Sequence, residues 1–263
     1  GELLNCLLSI DKIKIQTFEY LLTSAINITE LKRSEKKITD LYNQQKLLAE
    51  ITQLLNGTLH LETILDQVLE LLGKHTNVSR VYIFEDSENR LTTSNTHEWC
   101  NKTIFPQINK LQNIPYEGIP SWKKILMKEG RVFSTNIEEL PQDVANFLIP
   151  QEIKSILVYP LSVQNSLFGF IGFDECSMSR VWTHEEMELL STIANIISSA
   201  FERKIVLKKL ESSELQLKMA ISSAKEGIWD WNNSTGHVYF NDTWCAMLGY
   251  KPEEILSHVS SWE

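Results

Sequence analysis

The chain has 263 residues, 43% hydrophobic and 22% charged, which excludes a mainly disordered polypeptide. Its 25 Lys and Arg against 34 Asp and Glu leave a formal charge of −9, which argues against a general nucleic-acid binder. No apolar run reaches the roughly 18 residues of a membrane helix, and no signal segment opens the chain. The first residue is Gly, so the sequence reads as a piece of a longer protein. Four cysteines, Cys6, Cys100, Cys176 and Cys245, stand far apart with no CxxC pair. That spacing argues against structural zinc and fits a reducing, cytoplasmic setting.

Residues 1–30 predict two strands, with Leu7, Leu8 and Ile10 before Asp11 and Ile13, Ile15 and Phe18 to Leu22 after it. Residues 31–57 predict a charged helix. Leu31, Ile38, Leu41, Leu48 and Leu55 fall on a heptad seam that Ser34, Gln45 and Thr52 interrupt. The stripe suits a two-helix dimer seam or a surface helix packed on its own domain. Residues 58–203 form the one complete domain. Leu59, Leu61, Ile64, Leu65, Val68, Leu69 and Leu72 give a helical stripe ending at Gly73.

Val78 to Glu85 and Arg90 to Trp99 read as strands, and 101–119 as a long loop. A helix starts at Pro120 and stops at Gly130. A short strand at Arg131 to Ser134 and a helix at Pro141 to Leu148 follow. Ser155 to Leu161 and Leu167 to Asp174 read as a hairpin. Thr183 caps a long helix with Glu185 and Glu186 in its first turn. Ile193, Ala200 and Leu207 repeat at seven, as do Ile196, Arg203, Leu210 and Leu217. About 40 residues at 1.5 Å each would run about 60 Å, so the second half needs a partner, most simply a second copy of the chain. Residues 227–263 open another domain, with a hairpin turned at Asn232 to Gly236 and two short helices.

Three stretches resemble known families. Asn27-Ile-Thr-Glu-Leu-Lys-Arg resembles the exit of a PAS sensor domain, with Asn27 in place of the usual Asp. Gly227-Ile-Trp-Asp-Trp, Asn241-Asp-Thr-Trp-Cys-Ala-Met-Leu-Gly-Tyr and Pro252-Glu-Glu-Ile resemble the opening of a second PAS domain. Between them, Ser79-Arg-Val-Tyr-Ile-Phe, Ser155-Ile-Leu-Val-Tyr-Pro-Leu, Leu167-Phe-Gly-Phe-Ile-Gly-Phe-Asp and Trp182-Thr-His-Glu-Glu-Met resemble a GAF domain. The resemblance implies an α+β fold: a six-stranded antiparallel sheet with helices on one face, a ligand pocket on the other, and long coiled-coil-type signalling helices alongside.

The expected division is 1–30 (PAS tail), 31–57 (linker helix), 58–203 (GAF), 204–222 (linker helix) and 223–263 (truncated PAS). Such strings belong to sensor histidine kinases, and to diguanylate cyclases and other signalling proteins. No catalytic residue is expected, because no phosphoacceptor histidine motif and no ATP loop are present.

The resemblance makes Trp99, Cys100, Phe105, Trp122, Phe133, Phe168, Phe170, Asp174 and Cys176 candidates for the pocket. Strand alternation puts Phe168, Phe170 and Asp174 on one face. Phe170, Asp174 and Glu175 reproduce half of a cyclic-nucleotide motif, against the plainer reading of two solvated acids at a strand end. No cofactor follows from the sequence. Cys100 or Cys176 would be the ligand to haem or another tetrapyrrole, against plain packing or a disulfide switch between the two. Free methionine sulfoxide reductases use the GAF fold with a close set of cysteines, and Cys100 and Cys176 lack that clustering. The expected partners are a small molecule and a homodimer mate on the flanking helices, with no nucleic acid and no membrane segment.

Overall fold

The computed structural model describes residues 4–15, 18–57, 61–224 and 226–258. They divide into two compact units, 1–201 and 202–263. In the first, β1 (Cys6–Ile15) and β2 (Phe18–Asn27) form an antiparallel hairpin that leads into α1 (Thr29–Asn56). Leu7, Leu8, Ile10, Leu21, Leu22 and Ile26 are exposed on it, so this two-stranded piece buries no core of its own. Hydrogen bonds tie it to the helix. Asn27 Oδ1 accepts the Thr29 N–H at 3.0 Å, and Thr29 Oγ1 accepts the Asn5 N–H at 2.8 Å. The Asn27 side-chain amide thus holds the first residue of α1 to the end of β2.

The sheet that carries the site has six strands, all antiparallel. They are β3 (Arg80–Asp86), β4 (Thr92–Cys100), β5 (Ile114–Pro115), β6 (Val132–Ser134), β7 (Ser155–Val163) and β8 (Ser166–Glu175), in spatial order β5-β4-β3-β8-β7-β6. α2 (Leu61–Thr76) packs on one face, together with the first half of α5 (His184–Ala224). α3 (Pro120–Glu129) and α4 (Gln142–Leu148) cover the other. Leu59 and His60 lie outside the described residues.

α2 runs past Gly73, where the sequence pattern placed its end. Gly73 is buried, and a Cβ on it would fall inside the Trp99 indole, so this glycine is a slot for a ring. The helix stops at Asn77, which takes the left-handed conformation at φ 51. Thr183 caps α5 as its sequence predicts. Its hydroxyl accepts the Glu186 N–H at 3.2 Å, and Glu186 Oε2 accepts the Thr183 N–H at 2.9 Å. Arg180 fastens this corner. It donates to the carbonyls of Thr76 (2.7 Å) and Asn77 (3.3 Å) and pairs with Glu175 (3.5 Å) and Glu186.

The expected heptad seam is divided. Leu55, Ile193 and Ala200 are buried within the chain, and Leu48 and Ile196 are half-buried. Near its C-terminal end the burial stripe of α1 is Leu47, Ile51 and Leu55, spaced by four rather than by the alternating three and four of a heptad seam. Leu31, Ile38, Leu41, Leu207, Leu210 and Leu217 stay exposed.

In the second unit, β9 (Trp229–Trp231) pairs with β10 (Val238–Phe240), followed by α6 (Asp242–Met247). Asn241 caps α6, accepting the Trp244 N–H at 2.8 Å. No helix among the described residues is long and apolar enough to cross a membrane.

Candidate functional site

Strand parity builds the floor of the cavity. Arg80, Tyr82 and Phe84 alternate onto one face of β3, and Phe170 and Asp174 join them from β8. Arg80 pairs directly with both Cys100 and Asp174 in the ladders, so these three sit in one row across the sheet. Arg80 Nη2 lies 3.1 Å from Asp174 Oδ2, and both side chains are almost fully buried. The Tyr82 hydroxyl donates to Asp174 Oδ1 at 2.9 Å. Burial pushes the Asp174 carboxyl up to about 6, against the opposing pull of the Arg80 guanidinium. Burial and the same carboxylate hold the Tyr82 phenol well above its ordinary range.

The walls are aromatic. Phe84 stacks on Phe170 with centroids 4.7 Å apart, and Trp122 of α3 leans on Phe170 at 5.2 Å. Glu98 of β4 closes one side. It accepts the Gln107 and Ile108 N–H groups at 2.7 and 3.0 Å, so it pins the long loop over the cavity. Phe147 and Leu148 of α4, with Gln151 just after it, close the other. Three buried polar atoms of the residues on this lining have no hydrogen-bond partner among the described residues: Arg80 Nε, Asn95 Oδ1 and Trp122 Nε1. Their residues are at most 2% exposed, so each atom carries a desolvation cost of about 1–3 kcal/mol unless a polar guest meets it.

Of the nine candidates, Trp122, Phe170 and Asp174 line this cavity. Cys176 packs at its margin, with Arg80 Nη2 3.6 Å from the sulfur. Cys100 shares the face but lies outside the lining. Trp99 faces the other way, onto Gly73. Phe105 is 82% exposed on the loop, and Phe133 is exposed on the short β6 beneath the Arg131 guanidinium.

Phe168 breaks the expected parity. Leu161 pairs with Gly169 and Ser162 with Leu167, so Phe168 is the unpaired residue of a β-bulge. Its ring meets Phe201 of α5 at 4.8 Å, on the helix face. Asp174 and Glu175 are also not the solvated pair expected at a strand end, being 2% and 6% exposed. Arg80, Tyr82, Asn95 and Glu98 escaped the sequence reading. Arg80 and Tyr82 had a visible signal, since they alternate with Val81 and Ile83 in an otherwise apolar strand.

With the side chains as they stand, the cavity is too small for a tetrapyrrole. Drug-sized ligands need several hundred Å³, whereas the space free between these side chains is about 20 Å³, roughly one water. Burial and the Glu98 charge push the Cys100 thiol up to about 12, and burial pushes Cys176 to about 11, so neither is poised as a thiolate. Both cysteines are free thiols.

The GAF domain family matches residues 60–201. The methanogenesis regulatory histidine kinase FilI of Methanothrix harundinacea (strain 6Ac) is 33% identical over 169 residues, covering 63% of this chain and 19% of that protein. The circadian input-output histidine kinase CikA of Thermosynechococcus vestitus (strain NIES-2133 / IAM M-273 / BP-1) is 22% identical over 193 residues, covering 70% of this chain and 26% of that one. The chain thus spans about a fifth to a quarter of these relatives. Among solved structures, the phycoerythrobilin-bound GAF domain from a cyanobacterial phytochrome aligns with TM-score 0.56 at 19% identity, covering 63% of this chain and 97% of that one. The phycocyanobilin-bound GAF domain from a cyanobacterial phytochrome aligns with TM-score 0.54, also at 19% identity, covering 61% and 94%. At such identities the likeness is one of fold. With more than half of its length matched and its six-stranded antiparallel sheet in place, the chain belongs to the GAF domain family.

Proposed function

We propose that this chain is the sensory region of a signal-transduction protein of the histidine kinase type, in which the GAF cavity takes a small polar molecule. One observation carries the reading. Arg80 Nε, Asn95 Oδ1 and Trp122 Nε1, two donors and an acceptor, are buried without a partner among the described residues, and all three residues line the same cavity. Polar groups left in that state favour a guest that pairs with them. The guest is smaller than a tetrapyrrole, or it enters as α3 and α4 move off the sheet. The kinase relatives supply the signalling context.

The flanking segments extend the proposal. The exposed hairpin β1–β2 and the second unit are the ends of PAS domains, and α1 and α5 are signalling helices. Two homodimer seams follow, one of the exposed Leu31, Ile38 and Leu41 on α1 and one of the exposed Leu207, Leu210 and Leu217 on α5. Replacing Leu207, Leu210 and Leu217 with Glu is expected to shift a dimer to monomer in sedimentation at fixed protein concentration. A wild-type chain that stays monomeric at high concentration would remove both seams.

The second reading, a dimerisation and spacing module in a diguanylate cyclase or other signalling protein, is favoured by the small free volume of about 20 Å³. Native mass spectrometry of freshly purified protein separates the two. A bound small mass that is lost in an Asn95→Leu variant supports sensing. A protein without bound mass, whose melting temperature no metabolite library raises, supports the spacer.

A further inference from the structure

We propose that Glu62, Glu85 and His97 form a binding site for a divalent transition-metal ion, of which zinc is the type, on the face of the sheet opposite the cavity. The three side chains come from α2, β3 and β4. One potential ligand atom from each lies within 4.8 Å of the other two. His97 is 5% exposed, Glu85 is half-buried and Glu62 is exposed, so the donor set is anchored at its base and open at its mouth.

A second bulge assembles the group. Ile83 pairs with His97 but Phe84 pairs with Asn95, which leaves Thr96 as the extra residue of β4. Bulges re-aim side chains. Here the Thr96 hydroxyl reaches Glu85 from the same face on which His97 meets Glu62 of α2.

The hydrogen bonds around the imidazole decide which nitrogen holds the proton. The Thr96 hydroxyl donates its one hydrogen to Glu85 Oε1 at 2.9 Å, with the Ile83 carbonyl at 3.4 Å as the weaker alternative. In either case its oxygen is an acceptor toward His97 Nδ1, 3.0 Å away. Nδ1 therefore carries a hydrogen, and the neutral ring offers its Nε2 lone pair outward. Nε2 faces Glu62 Oε2, another acceptor, at 3.2 Å. Among the described residues no donor reaches Nε2. Two acceptors in that arrangement need a cation between them, a metal ion or a second proton on the ring.

The His97–Glu62 spacing of 3.2 Å already suits a metal, and Glu85, within 4.8 Å of both, would close in on binding. Ligand bonds of about 2.0–2.1 Å put neighbouring donor atoms about 2.9 Å apart at a right angle and about 3.3 Å apart at the tetrahedral angle. The Nδ1–Thr96–Glu85 chain is the kind of outer hydrogen bonding that orients a metal-bound imidazole. One imidazole with two carboxylates suits zinc and its neighbours better than calcium or magnesium, and a water completes four-coordination. Such an ion would pin α2 to the β3–β4 pair.

The test is calorimetric titration of the metal-stripped full chain with Zn²⁺, paralleled by Co²⁺ and its visible absorption. The expected result is one ion per chain, a Co²⁺ spectrum typical of nitrogen and oxygen donors, and a higher melting temperature with Zn²⁺. Glu62→Gln, a change at an exposed position, is expected to weaken binding at least about tenfold and to abolish the thermal shift. His97→Gln is expected to do the same more strongly. No saturable binding by the wild type at millimolar metal overturns the proposal. So does unchanged binding in Glu62→Gln and Glu85→Gln, which would put the ion elsewhere, for instance on a thiol.

Discussion

Tyr82 reaches Asp174 because Gly172, its direct partner across the β3–β8 ladder, has no side chain. A Cβ on Gly172 would come within 2.5 Å of the phenolic oxygen. Gly172→Ala is therefore expected to displace the ring and leave Asp174 short of one donor, costing about 1–3 kcal/mol. Tyr82→Phe removes the same hydrogen bond without the clash. Urea denaturation of both variants and of the double variant checks this: the two effects should fall short of additivity, since they share one contact.

The pH dependence has a definite sign. Burial raises Asp174 from 3.8 to about 6 in the folded chain, so the native state holds this proton over a range where the unfolded chain has released it. The stability from this group is complete below about pH 3.8 and is lost as pH rises through about 6. Asp174→Asn cannot titrate. Between pH 4 and pH 7 the wild type is expected to lose on the order of 1–3 kcal/mol relative to that variant. Parallel denaturation curves across that range measure it, and a constant difference would contradict the assignment.

Phe168 and Phe170, two residues apart, serve opposite faces of the sheet. Phe170→Ala empties the space between Phe84 and Trp122 and is expected to cost about 3–5 kcal/mol while enlarging the cavity. Phe168→Ala loses its contact with Phe201 and is expected to cost less, because its ring is half-buried. Only the first variant should gain affinity for a small apolar probe such as benzene. Chemical denaturation and probe-induced melting shifts check the pair.

The cap of α5 is the fourth test. Thr183→Ala removes the acceptor for the Glu186 N–H and is expected to cost about 1 kcal/mol. Thr183→Ser keeps the oxygen and should restore most of it. A lower melting temperature for the Ala variant alone is the expected pattern.

Much of the fold was legible because its signals are local. Pro120, Thr183 and the Gln164–Asn165 turn mark their elements in a few residues, and the two turn residues do take positive φ, 50 and 59. The site was less legible because two bulges decide it. Period-two alternation places Phe168 with Asp174 and gives no sign that one extra residue lies between them. The same blindness hid the convergence of His97 with Glu85 and Glu62. Trp99, Phe105 and Phe133 show a further limit. Aromatic type predicts burial or a pocket wall equally well, and only what the ring packs on, here Gly73 of α2 for Trp99, tells which. The heptad pattern likewise does not say where a helix stops touching its own domain, so Ile193 and Leu207 look alike in sequence and differ in burial.

Asp174 and Glu175 are consecutive, yet one turns to the cavity floor and the other to Arg180. That guanidinium also grips the last carbonyls of α2 and the first turn of α5. A single peptide unit is thus the shortest covalent bridge between the chamber and the rivet on which two helices hang. Because consecutive strand residues point to opposite faces, rotating that one peptide would re-aim both carboxylates together.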